Sequence, residues 1–114
     1  MNDNTIETQW EGLLDQLQQL LGKRPADLNA VLFLIGVQEL GKGPIRFSKE
    51  QKQDLMHIAV CRVLSQSGYY TYDGIDKDGW PHWQQLKPHP PGDVTAQENL
   101  LKQHVITYFQ SVLV

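Results

Sequence analysis

The chain has 114 residues, of which 40% are hydrophobic and 20% charged, with a formal net charge of -3. That length suits one domain burying about 65% of the surface its unfolded chain exposes, and the composition is that of an ordinary globular protein rather than a disordered or fibrous one. Ten Lys and Arg against thirteen Asp and Glu give no overall attraction to phosphate, so nucleic acid is not the expected partner.

Cys61 is the only cysteine, which excludes an intrachain disulfide and the multi-cysteine patterns of structural zinc. Met1 to Thr5 carry no basic stretch, and no apolar segment follows them. The longest apolar run, Ala30 to Val37, spans eight residues against the roughly 20 needed to cross a bilayer. A cytoplasmic protein without a membrane span is the expectation, and no cofactor is implied.

Helical spacing begins with Ile6, Trp10, Leu13, Leu17 and Leu20, widened by Leu14 and Leu21, and Gly22 ends it. Pro25 suits the start of a second helix that runs through Val31, Leu32, Ile35 and Glu39 to Leu40. Its middle is apolar all round, which places it at the centre of a fold, and Gly36 would let a neighbouring backbone come close. Gly41-Lys42-Gly43-Pro44 closes it.

Ser48 and Gln51 have the spacing of a capping box for a third helix, expected to reach Ser67 and stop at Gly68. On a helical wheel Leu55, Met56, Ala59, Val60, Val63 and Leu64 fill one broad face, leaving Asp54, His57, Cys61 and Ser65 on the other. Helices two and three are therefore the expected central pair. From Tyr69 to Leu86 aromatic residues flank Asp73-Gly74-Ile75-Asp76-Lys77-Asp78-Gly79, the pattern of a β-hairpin with an Asp-Gly turn. A proline-rich connector, Lys87 to Gly92, leads to a last helix opened by Thr95 and Glu98 and marked by Leu101, Val105, Tyr108 and Val112. The predicted fold is mainly α: a single four-helix domain, residues 1 to 114, with an aromatic-rich hairpin at about 69 to 86 between helices three and four.

Four groups of residues invite chemistry, each beside a structural explanation. Asp54, His57 and Cys61 share a helical stripe, but side chains on one helix project in parallel and seldom converge on a reacting atom, so Cys61 is expected to be a buried apolar group. Asp76-Lys77-Asp78-Gly79 resembles the middle of a calcium loop, yet the frame puts Gly74 at the first ligand position and Gln85 at the last, so turn chemistry is expected and no metal. Lys42 and Arg46, near the start of helix three, could hold an anion or simply flank a connection between helices. Trp80-Pro81-His82-Trp83 with the tyrosines offers flat faces for a ligand, or core packing for a hairpin too small to be stable alone.

The helix order also suggests a winged helix by fold-level analogy, but helix three is too apolar for a groove and the hairpin tip carries Asp73, Asp76 and Asp78. Val31 to Gly41, Phe47 to Lys52 and Asp78 to Trp83 resemble segments of a small uncharacterised family from Bacteroidetes, a resemblance covering most of the chain beyond residue 25. It implies no activity, cofactor or catalytic residue.

The preferred reading is a noncatalytic helical protein that self-associates as a homodimer or binds a protein partner. Trp10, Leu13, Leu17 and Leu20 on helix one, with Tyr108 and Phe109 on helix four, offer more apolar width than one neighbour needs and are the expected interface. The rival is an enzyme or small-ligand protein. Its site would join the end of helix two to the hairpin, with Glu39 as acid or base, His57 or His82 as proton carrier, and Tyr72, Trp80 and Trp83 as a substrate wall.

Overall fold

Every helix starts where a short polar side chain takes over a backbone donor. In the computed structural model, which describes residues 5–43 and 45–113, Thr5 caps α1 (Ile6–Leu21) and Asp27 caps α2 (Leu28–Leu40). Ser48 caps α3 (Lys49–Ser65), with Gln51 completing the capping box, and Asp93 caps α4 (Val94–Val112). Gly22 and Gly41 end α1 and α2 in the left-handed conformation that glycine adopts without steric cost. Pro44, part of the predicted α2 stop, lies outside the described residues, as do 1–4 and 114.

Three boundaries differ from expectation. Pro25 precedes α2 rather than opening it, because Asp27 accepts from the amide of Ala30 at 2.9 Å. α4 begins at Asp93, whose carboxylate takes the amide of Ala96 at 2.9 Å, which leaves Thr95 inside the first turn. α3 stops at Ser65, and the chain turns through residues 66–68 into the hairpin.

The hairpin pairs β1 (Tyr70–Ile75) with β2 (Pro81–Gln85) in antiparallel register, Tyr70 opposite Gln85 and Tyr72 opposite Trp83. Of its two Asp-Gly pairs, Asp78-Gly79 lies in the turn, where the chain reverses between Asp76 and Trp80. Asp73-Gly74 lies within β1, where the register shifts between Tyr72 and Ile75 and Gly74 has φ 94°, because a bulge with glycine at positive φ uses the same residues as a turn.

α2 and α3 form the central pair. A Cβ placed on Gly36 would sit 2.2 Å from the Leu55 carbonyl oxygen, so the two backbones are in direct contact there. Leu32, Ile35, Leu55, Ala59 and Val63 are all buried, as the wheel requires. α4 packs on α3 and on α1, and the main core joins Trp10, Leu13 and Leu17 of α1 to Val105, Ile106, Tyr108 and Phe109 of α4. A second cluster of Leu40, Phe47, Leu55 and Ile58 receives Trp80 from the hairpin.

This packing corrects the expected self-association seam. Trp10, Leu13, Leu17, Tyr108 and Phe109 are core residues of the single chain, because the apolar stripes of α1 and α4 cover each other. Leu20 alone of that set is exposed, at 62%. None of the helices, over the described residues, is long and apolar enough to cross a membrane.

The Gly36 crossing gives a direct test. Gly36→Ala forces a methyl group into a backbone carbonyl rather than into a side chain that can swing away. It is expected to cost about 3 kcal/mol, read as a lowered midpoint in urea unfolding at unchanged slope.

Candidate functional site

The hairpin turn is organised by one carboxylate. Oδ1 of Asp76 accepts from the amides of Asp78 (2.9 Å) and Trp80 (3.0 Å), and Oδ2 pairs with Nε2 of His82 at 3.0 Å. The His82 hydrogen bond, followed by the Trp80 amide, pulls the Asp76 carboxyl down to about 2. A depressed acid stabilises the turn above the ordinary carboxylate range and loses that contribution as pH falls through its folded value. Lys42 Nζ donates to the Asp78 carbonyl and so ties the turn to the connection between α2 and α3.

Held this way, β2 lies across α3 and leaves a cleft of about 330 Å³. Ile58, Cys61 and Trp83 supply its buried and half-buried surfaces, Trp80 and Pro81 one wall, and Asp54, His57, Asp76 and His82 its exposed margin. Trp80 is braced by Phe47, their ring centroids 6.5 Å apart, and Trp83 by Tyr72 at 5.4 Å. The indole Nε1 of Trp83 is sealed from solvent and has no hydrogen-bond partner among the described residues. His57 Nε2 lies 3.6 Å from the Cys61 sulfur, one helical turn away. Burial pushes the Cys61 thiol up to about 11, which keeps it protonated at neutral pH.

A second cleft, of about 450 Å³, opens on the other side of the hairpin between Glu39, Arg62, Tyr72, Ile75 and Trp83. Glu39 is committed there: Oε2 accepts from the Tyr108 hydroxyl at 2.9 Å and Oε1 faces Arg62 Nε at 3.3 Å. The Arg62 guanidinium also stands over the Tyr108 ring, 5.1 Å from its centroid. Burial, then the bond to Glu39, raises the Tyr108 phenol well above its ordinary value. The carboxylate, cation and phenol thus tie α2, α3 and α4 together.

The structure divides the expected ligand set. His57, Trp80, His82 and Trp83 converge on the first cleft, while Glu39 and Tyr72 line the second, with Trp83 and Pro81 common to both. The cleft that Glu39 lines has no histidine among its described residues. Lys42 donates to the Asp78 carbonyl, and Arg46 is exposed with no ion pair or hydrogen bond among the described residues. Among the described residues no group of three His, Cys, Asp or Glu side chains converges as a metal would need.

Cys61 is buried, as expected of a small apolar group, and β2 is the element that covers its stripe of α3. One feature escaped the sequence reading. Arg62 carries the ion pair with Glu39, and its one signal is a lone cation in the apolar half of α3.

Two measurements check this description. Tyr108→Phe removes a hydrogen bond to a charged, half-buried carboxylate and is expected to cost about 2 kcal/mol in urea unfolding. Cys61 in the native protein is expected to react with iodoacetamide about 100-fold more slowly at neutral pH than a free thiol peptide, and a rate at or above the peptide's would contradict the burial. No family model, curated protein or solved structure matches the chain, so what the cleft can do rests on its own geometry.

Proposed function

We propose that the protein binds a small molecule in the cleft between α3 and β2. The observation that carries this reading is the cleft itself, where Trp80, Pro81 and Trp83 of the hairpin meet Ile58 and Cys61 of α3 beneath a polar margin. The flat surfaces of Trp80 and Pro81 add apolar contact, and the polar groups along the margin can fix an orientation. A few polar groups set in an apolar, concave wall is the usual composition of a small-molecule site.

The three tryptophans make this testable by proton–nitrogen NMR, with Trp10 on α1 as an internal control. A panel of small amines, carboxylic acids and amides at millimolar concentration is expected to include compounds that shift the Trp83 and Trp80 indole signals saturably while Trp10 stays still. Equal movement of all three, or movement of none, would overturn the reading.

A second reading, partner binding or self-association, retains one supporting observation. Tyr72 and Ile75 on β1 are 54% and 65% exposed beside the second cleft, an apolar pair that a protein surface could cover. Light scattering coupled to gel filtration decides the homodimer: twice 13.0 kDa supports it, and a single chain mass at high micromolar concentration refutes it.

A further inference from the structure

We infer that the occupant of the cleft between α3 and β2 is a small organic cation, a substituted ammonium. This rests on the ligand-binding reading above and adds the ligand's charge and shape. Among the described residues, the formally charged side chains that line the cleft are both acids, Asp54 from α3 and Asp76 from the turn, and no lysine or arginine lines it. Lys42, the ammonium attached to the turn, is engaged by the Asp78 carbonyl and lies beside Gly79 rather than among the lining residues. An anionic ligand would meet the Asp54 carboxylate and, beside its His82 partner, the Asp76 carboxylate, with no lysine or arginine to offset them.

The walls favour the same sign of charge. Indole rings are the strongest aromatic partners for a cation because their faces carry the negative part of the ring quadrupole. Two indoles, Trp80 and Trp83, line this one cleft, each already braced by a further aromatic ring, so neither must be ordered on binding. The Asp76 carboxylate can only accept, so the hydrogen shared with His82 sits on His82 Nε2. Cys61, held as a thiol, and Ile58 contribute no charge.

About 330 Å³ lies at the lower end of small-molecule sites, which fits a compact aliphatic cation better than an extended peptide.

Choline, a hydroxyl-bearing quaternary ammonium, serves as the probe. Its neutral carbon isostere 3,3-dimethylbutan-1-ol and the anion benzoate are the comparisons. Followed by the indole NMR signals of the full chain, choline is expected to shift Trp80 and Trp83 saturably, the isostere to bind about tenfold more weakly, and benzoate to leave both signals in place. Asp54→Asn, an exposed substitution that leaves the turn intact, is expected to weaken choline about threefold and leave the isostere unchanged. An isostere that binds as well as choline, or benzoate that binds better, would overturn the cation while the small-molecule reading stood. Choline that moves neither indole would also overturn the cation, and the amide and acid arms of the wider panel then decide the ligand-binding reading separately.

Discussion

The contact on which the rest of the architecture depends is the crossing of α2 over α3 at Gly36, where one backbone rests on the Leu55 carbonyl with no side chain between them. Side chains normally hold packed helices 8–10 Å apart, and the absent Cβ lets these two come closer. That approach buries Val31, Leu32 and Ile35 against Ala59 and Val63, and it fixes the direction in which the opposite flank of α3 faces. The flank bearing Ile58 and Cys61 is the one the hairpin then covers. The cleft is thus a remainder, the part of α3 that neither α2 nor the hairpin completely fills.

The helices were readable because their signals are local. Thr5, Ser48 and the two glycines that end α1 and α2 act within one turn of themselves, and the i, i+3, i+4 spacing of α1 records which side is buried. What covers that side is not local. The stripes of α1 and α4 each have the width of an interface, and no property of either distinguishes a neighbour in the same chain from a second copy. Trp10 beside α4, with Lys102 over its ring, is a tertiary fact that a one-dimensional pattern does not contain. The hairpin was legible in kind but not in register, because a bulge glycine and a turn glycine look alike until the partner strand is placed.

The site follows the same division. Aromatic residues, histidines and acids near the hairpin mark it as chemically rich from composition alone. The assignment of each to one side of β2 or the other was not legible, since Trp83 faces a neighbour on both. Glu39 illustrates the cost of reading residue type without partners: a lone acid near aromatics suggests proton transfer, whereas Tyr108 and Arg62 use both of its oxygens to join three helices. Cys61 is the opposite case, a side chain whose burial follows from its type while the element that covers it, the hairpin, does not.

Every side chain lining the first cleft comes from one contiguous stretch, Asp54 to Trp83. α1 and α4 lend it no atoms. Closing a loop of that length costs little chain entropy, so α3 and the hairpin can associate as one cooperative unit before the terminal helices dock. Damage to the outer pair then lowers the fraction of folded molecules without reshaping the cleft, whereas damage within the stretch alters the cleft itself. Amide hydrogen exchange separates the two regimes, because a bound molecule slows local opening only in the segment that holds it.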